Sequence, residues 1–429
     1  MIKSHNNMKS LKVGFFTDGY LPQLDGVGQN LAALVTALRK AGQDVYVIAP
    51  KHPNFNDRDP KVFRLRSVRV YKNPEWRMAL PVPEKDFRQA AKIPFDIVHG
   101  HAGGPVSFLG FEIARRRNVP YVFTYHTLWN RYTHYILKGT VLTPKMTEIA
   151  TKIYCNLCTL IIAPTKRVKA ELRSYGVTKP VYVIPGGIDL SRFQDPKKSY
   201  LRRRLNLPEN VEIVLYVGRL GKEKSVDLII KSFRFVSKER DNAVLVLVGG
   251  GSEKENLARL VKKEGLENKT FFTGFINRET IPSVYADADV FAFASQTETQ
   301  GLVVPEAMAS GLSSVVVDDP AFEGVIIDGY NGLLARLAPK DFGLKIARLL
   351  EEPNLRKKLS TNAKKFAANN FPIEQQVEAH IKIYNQALLL HKSRKTRGAL
   401  FKKRISDIKT FLKVNERVTI FKQILTKEL

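Results

Sequence analysis

Only two of the 429 residues are cysteine, so no disulfide framework is available and the composition points to a reducing compartment. Long apolar runs are missing too. No stretch approaches the about 18 apolar residues of a spanning helix. The first ten residues carry lysines, a histidine and asparagines ahead of a strand-length apolar run, Leu11–Phe16, too short for a signal-peptide core. The expectation is therefore a cytoplasmic chain without a targeting segment, either soluble or attached to a membrane from one side. Short repeats and low-complexity tracts are absent. Acidic residues are scarce beside basic ones, 41 against 69, leaving a net charge of +28. Such an excess implies an anionic partner: nucleic acid, a membrane surface or a phosphorylated ligand. A hydrophobic content of 44%, with 10% aromatic residues, excludes a disordered or fibrous chain. The length predicts two domains of roughly 200 residues.

The first 50 residues read as a βαβ unit. An apolar strand Leu11–Phe16 leads through a glycine-bearing loop to helical periodicity over Asn30–Ala41, and Asp44–Ala49 is the next strand. Short β-rich runs recur at Ile97–His99, Tyr121–Thr124, Leu160–Ala163 and Tyr182–Ile184. A break follows Gly186-Gly187, and Asp195 to Asn210 has the polar, proline-bearing composition of a linker. The pattern restarts with strands at Glu212–Val217, Val244–Val248, Thr270–Thr273, Val290–Ala294 and Ser313–Val317 and a helix over Val226–Ser237. The fold class is α/β: two Rossmann-like, doubly wound parallel-sheet domains facing across a cleft. The expected division is residues 1–190 for the first domain and 191–372 for the second. Residues 373–391 form a long helix returning to the first domain, and 392–429 a basic amphipathic tail.

That tail carries twelve Lys and Arg against three Asp and Glu, with Phe401, Ile405, Ile408 and Leu412, then Val414, Val418, Phe421 and Leu425, at helical spacing. A second basic segment, Arg58–Lys92, holds ten basic and four acidic residues, and Pro74, Pro81 and Pro83 make it loop-like. A solvated face is the ordinary reading of one such segment. Two of them favour an anionic bilayer, with Arg66, Arg69, Trp76 and Arg77 as contacts.

The chemistry concentrates in two stretches. In Glu298-Thr-Gln-Gly-Leu-Val-Val-Pro-Glu306, two glutamates flank a glycine, and the second opens a helix, Glu306–Ser310. Gly301 permits close backbone approach, and the amides of Leu302 and Val303 near a helix N-terminus suit an anion. Glu306 as an ordinary first-turn acid is the bland alternative. Upstream, Gly218-Arg219 ends a strand and Lys222-Glu223-Lys224 opens the following helix. Arg219 can hold phosphate oxygens bidentately, with Lys224 as a point charge. Gly249-Gly250-Gly251 fits a nucleotide contact better than a dinucleotide fingerprint. Asp287-Ala-Asp289 is punctuation before a strand rather than a metal site. Cys155 and Cys158 lack a second pair for zinc and read as buried thiols in a helix.

Together, Asp25-Gly26-Val27-Gly28, Tyr125-His126-Thr127, Pro185-Gly186-Gly187-Ile188-Asp189, Gly218-Arg219…Glu223-Lys224, Gly249-Gly250-Gly251 and Glu298-x7-Glu306 resemble family 4 of the retaining glycosyltransferases, which have the GT-B fold. The match spans residues 11 to about 390. The stretch Tyr125 to Tyr135, with Trp129 and Tyr132, is most similar to the diacylglycerol glucosyltransferase branch, and adds Trp129, Tyr132 and Tyr135 to the acceptor or membrane contacts. The resemblance implies that Glu306 binds the nucleotide ribose, Glu298 holds the donor sugar, and Gly301, Leu302 and Val303 touch sugar hydroxyl and phosphate. Arg219 and Lys224 would neutralise the diphosphate, helped by Gly218 and Gly250. Gly26 would meet the phosphate from the other domain, and His126 would lie over the sugar near the reacting carbon. Where the family often has Asn-Gly, this chain has Gly186-Gly187.

The function so implied is retaining transfer of a hexose, glucose from UDP-glucose, to a diacylglycerol-type lipid, by front-side displacement with a phosphate oxygen taking the acceptor proton. The nucleotide sugar is a co-substrate, no cofactor is tightly bound, and Mg2+ is admitted without protein ligands. A phosphoinositol, polysaccharide or other soluble acceptor is the alternative. A nucleic-acid-binding protein fits the charge but lacks any RNP-like, KH or helix-turn-helix pattern. A nucleotide-sugar epimerase lacks the glutamate spacing.

Overall fold

A computed structural model describes residues 10–23, 26–53, 55–70, 73–80, 85–131 and 143–395. Its first lobe is built on strands β1 (Lys12–Thr17), β2 (Asp44–Pro50), β3 (Val62–Leu65), β6 (Ile97–His101), β7 (Tyr121–Thr124), β8 (Leu160–Ala163) and β9 (Val181–Val183). Between them, β4 (Ser67–Val70) and β5 (Asn73–Ala79) form a separate antiparallel ribbon. The seven strands are all parallel, in the order β3-β2-β1-β6-β7-β8-β9. The second lobe is a six-stranded parallel sheet ordered β12-β11-β10-β13-β14-β15. Its strands are β10 (Glu212–Val217), β11 (Ala243–Val248), β12 (Thr270–Gly274), β13 (Val290–Phe293), β14 (Ser313–Val317) and β15 (Leu333–Ala335). In each sheet the order reverses next to its first strand, β1 or β10. Ligands of open α/β sheets bind at the carboxyl ends of the strands at such a reversal.

The strands are near-continuous apolar runs because both faces are covered: β11 is buried at every residue, and β6, β7, β8, β13 and β14 likewise. The long helix Ile373–Lys395 leaves the second lobe and packs on the first. Its Val377, Ile381, Tyr384 and Ala387 share a core with Val13, Phe15, Leu31 and Leu34. Full burial of each large apolar side chain contributes roughly 1.5–3 kcal/mol, enough to fasten the helix there.

Three details differ from the sequence reading. Arg58–Lys92 is not a loop: it holds β3, the ribbon and a helix, Lys85–Lys92. Pro74 lies in β5 of the two-stranded ribbon, away from any central strand, where proline is tolerated, and Pro81 and Pro83 lie outside the described residues. The linker 195–210 contains a helix, Tyr200–Leu205, whose first turn is capped by Asp287 through Ser199 N–H (2.5 Å) and Leu201 N–H (2.6 Å). Asp289 likewise accepts from Ile213 N–H at 2.9 Å, so both acids of Asp287-Ala-Asp289 serve the backbone. The helix after Gly301 starts at Val303, placing Glu306 within its first turn rather than at its start. Cys155 and Cys158 are free and buried. No described helix is long and apolar enough to cross a membrane. Tail residues 396–429, with Tyr132 and Tyr135, lie outside the described residues, as does the side chain of Trp76.

The chain crosses between lobes twice, and the two crossings touch. Ile188 N–H donates to Phe371 O (2.8 Å) and Ile373 N–H to Ile188 O (3.0 Å). A Cβ on Gly187 would lie 2.6 Å from Cα of Ile373, so only glycine lets the backbones approach this closely. Gly187→Ala is expected to lower the melting temperature by several degrees, the effect of about 1–3 kcal/mol of overpacking. Calorimetry showing an unchanged transition would contradict this account of the crossing.

Candidate active site

The carboxyl ends of β10 and β13 bring together side chains far apart in sequence. After β10, Gly218-Arg219-Leu220 runs against Gly249-Gly250-Gly251 after β11, with Leu220 N–H donating to Gly250 O at 2.8 Å. A Cβ on Gly249 would sit 1.9 Å from the carbonyl oxygen of Gly218, so this contact requires glycine. Gly250 in turn backs the ring of Phe275, which stays 44% exposed beside it. Arg219 forms a 2.5 Å ion pair with Glu223, whose side chain is only 2% exposed. Lys224 ends a short 3-10 turn and is ion-paired with Glu298, both side chains being largely buried (14% and 13% exposed). Two cations thus stand at one strand end with their carboxylates behind them.

Glu298 belongs to the loop that leads into the helix Val303–Ala309. Gly301 turns this loop at φ +62°, its position hemmed by Glu298 and Phe322. Leu302 and Val303 follow as the helix begins, among the first-turn N–H groups that no helix can pair internally. Glu306 lies half-buried in that first turn, accepting from Tyr285 Oη at 3.3 Å. Burial pushes its carboxyl up from the usual range, opposed by the charges of Arg278 and Arg192 and by the Tyr285 hydrogen bond.

The first lobe supplies the opposite wall. Thr299 Oγ1 donates to the carbonyl oxygen of His126 at 2.8 Å, so His126 stands over the loop of Glu298. Gly26 opens the helix Gly26–Lys40, and a Cβ there would meet nothing within 4 Å. Arg278 reaches across from the second lobe to the carbonyl of Gln29 in the same first turn (2.5 Å). A second bridge, Arg167 to Asp319, spans 2.6 Å with both side chains 12% exposed. Between the lobes a cavity of about 550 Å³ is lined by Leu21, Pro22, Phe55, Phe275, Ile276 and Asn277.

The glycine at 186 has a partner that sequence reading missed. Gln300 Oε1 accepts from Gly186 N–H (2.7 Å) and Gln300 Nε2 donates to Gly186 O (2.9 Å). A Cβ at 186 would lie 2.7 Å from that oxygen. The carboxamide of Gln300 therefore fills the space a side chain at 186 would need, and ties the lobe crossing to the loop of Glu298. Also missed were Glu223, Thr299, and the buried histidines 99, 101 and 380. For Glu223 the signal was present: an acid four residues after Arg219.

Around His126 the histidines cluster. His101 Nδ1 is 3.1 Å from His126 Nε2, His99 stacks on His101 with centroids 4.0 Å apart, and His380 of the long helix lies 5.9 Å from His99. Burial holds all four well below their ordinary value, His126 and His380 at about 4. Among the described residues no group of three or more His, Cys, Asp or Glu is arranged to hold a metal ion.

The residues expected from sequence to contact acceptor or membrane are not gathered at this strand end. Arg66 and Arg69 are exposed, on or beside β4. Arg77 of β5 stands directly opposite Arg69, with its guanidinium on Ser67 Oγ (2.7 Å) and Ser67 O (2.8 Å). Trp129 begins a 3-10 turn just after the His126 segment.

Comparison with known proteins accords with this geometry. Residues 24–192 match the family model "Glycosyltransferase Family 4" and residues 197–366 the model "Glycosyl transferases group 1". The chain belongs to the family 4 glycosyltransferases. Among relatives of this family, the alpha-monoglucosyldiacylglycerol synthase of Streptococcus pneumoniae is 29% identical, over 84% of this chain and 83% of that protein. The enzyme of the same name from Acholeplasma laidlawii is also 29% identical, over 82% of this chain and 92% of its own. Solved structures of similar fold include sucrose-phosphate synthase from Thermosynechococcus elongatus (TM-score 0.73, 22% identity, 87% of this chain and 98% of that one). Anabaena HepE, solved with UDP and glucose, is another (TM-score 0.70, 18% identity, 88% of this chain and 100% of that one). At these identities the solved structures speak for the GT-B fold, which this family 4 chain shares.

Proposed function

We propose that the protein is a retaining glycosyltransferase that moves glucose from UDP-glucose to a diacylglycerol-type lipid at an anionic membrane surface. The observation that carries the reading is the Lys224–Glu298 pair beside the Val303–Ala309 helix N-terminus, with His126 held over it through Thr299. The donor diphosphate enters between Arg219, Lys224 and the amides of Leu302 and Val303. Glu306 takes the ribose hydroxyls as a carboxylate, and the apolar cavity beside Phe275 and Ile276 takes the base. Glu298, relieved of Lys224, accepts from the sugar hydroxyls.

Breaking the C1–O bond puts negative charge on the departing diphosphate, and preorganised cations in a site shielded from water stabilise it without reorganisation. The acceptor hydroxyl attacks the face the diphosphate leaves, its proton passing to a phosphate oxygen, and the products are UDP and an α-glycoside. Neither glutamate is assigned as a glycosidase nucleophile: with donor bound Glu298 is engaged by the sugar hydroxyls, and Glu306 is held by Tyr285 at the ribose.

The lipid acceptor is supported by the names of the two synthase relatives and by the ribbon. Arg69 opposite Arg77 is a like-charge pair, unfavourable alone and relieved by an anionic partner. Val68 and Met78, both 39% exposed, project from the ribbon's other face. Nucleotide release from a panel of UDP- and GDP-sugars, with diacylglycerol vesicles or soluble polyols, tests the reading. Release from UDP-glucose that requires diacylglycerol and yields the α-anomer supports it; release with a soluble acceptor alone overturns the lipid assignment. In flotation, binding to anionic vesicles is expected to be lost near 1 M salt, where screening shortens to about 3 Å. Binding that is indifferent to salt contradicts the basic-surface argument.

A further inference from the structure

His101 ends β6, buried to 1% exposure between Phe15 and His99, with ring centroids 4.7 and 4.0 Å away. Its Nδ1 meets Nε2 of His126 at 3.1 Å, while its own Nε2 is buried without a hydrogen-bond partner. Both rings are kept neutral by burial, so each carries one N–H. One nitrogen of the contact must donate and the other accept.

The unpartnered nitrogen decides which. Were His126 the donor, the proton of His101 would sit on Nε2 as a buried N–H with nothing to receive it. Orphaned buried N–H groups are the rarest and costliest kind. With His101 donating from Nδ1, only a bare acceptor is left over. The proton of His126 then lies on its Nδ1, the nitrogen facing away from His101.

We propose that His101 is a positioning residue that locks His126 as a hydrogen-bond donor and bars it from acting as a general base. With Nε2 occupied by the proton of His101 and Nδ1 protonated, His126 has no lone pair to take a proton. It offers Nδ1–H to a sugar hydroxyl, and the acceptor's proton must go to a phosphate oxygen. This deepens the donor-site reading and rests on it for the place of His126 near the sugar.

The test combines spectroscopy with activity on the full chain. Nitrogen-15 and proton correlation spectra of the wild-type protein, histidine-labelled, should show His126 as the Nδ1–H tautomer; an Nε2–H signal overturns the proposal whatever the activity. His101→Asn keeps an N–H near the place of Nδ1, and His101→Phe keeps the ring shape without it. With UDP-glucose as donor, His101→Phe should lower kcat roughly 10- to 100-fold with the donor KM within about twofold. His101→Asn should recover most of that loss. Equal losses in the two variants, or none in His101→Phe, overturn it. His126→Ala is the separate control: turnover unchanged there removes the donor-site role of His126 and leaves the tautomer measurement to judge the dyad.

Discussion

Replacing Lys224 with alanine is expected to lower turnover by roughly 10²- to 10³-fold, with a smaller change in donor KM, because the ammonium opposes charge that develops as the diphosphate leaves. Lys224 is a cleaner probe than Arg219. Removing Arg219 breaks its ion pair with Glu223, a carboxylate only 2% exposed, and breaking a buried pair destabilises the fold itself. Removing Lys224 strands Glu298, at 13% exposure, so part of the loss is structural there too. The Lys224→Ala/Glu298→Gln double variant separates the two. The double variant is expected to regain the wild-type melting temperature, and the rate is to be compared with that of Glu298→Gln alone: a further fall on adding Lys224→Ala marks the catalytic part. Steady-state kinetics on purified variants with saturating UDP-glucose measure it, and an undiminished kcat with only a raised KM would refute leaving-group stabilisation by this residue.

The second large effect is loss of stability in acid. His380, 3% exposed and held at about 4 against an ordinary 6.5, favours the neutral form when folded. A base whose value is depressed by folding contributes stability that is whole above 6.5 and lost as pH falls through about 4. The unfolded chain binds the extra proton. The shift corresponds to about 3 kcal/mol for this one residue, and His99, His101 and His126 move in the same direction. Asp18 opposes them. Burial raises it from 3.8 to about 6, against hydrogen bonds from the amides of Val106, Ser107 and Gly104, so its contribution is whole below 3.8 and lost as pH rises through 6. Glu306, whose carboxyl burial also raises, acts in the same sense as Asp18, and two carboxyls against four imidazoles leave a net fall. The urea midpoint should drop steeply between pH 6.5 and 4, and His380→Asn should make the drop shallower by about one proton's worth. A midpoint flat across that window would contradict the buried neutral cluster.

Much of this architecture was legible because parallel strands buried on both faces are written in apolar residues. Ala243–Val248 and Ser313–Val317 could be read with little error for that reason. The ribbon Ser67–Ala79 could not: its arginines and Pro74 spell a loop, and only pairing across the ribbon gives them extended structure. The residues proposed here for the donor site stood out as candidates through spacing, since Arg219 and Glu298 each follow an apolar strand. What joins them was not. Lys224 and Glu298 are 74 positions apart, and nothing local says that they pair. Gln300 carries no local sign of its paired hydrogen bonds to Gly186, 114 positions away. The histidine cluster draws on one strand, β6, the loop after β7 and the helix Ile373–Lys395. Its one local sign is His99-x-His101, two residues that share a sheet face.

The abutting crossings at Gly187 and Ile373 bear on how the molecule grasps its substrate. A body joined by one thread can swivel in any sense, whereas two threads seam-bound along a common line leave it chiefly the swing of a book cover. Any closing of the halves is expected to follow that one axis, so that a ligand held by one lobe would meet the other without a search over twist.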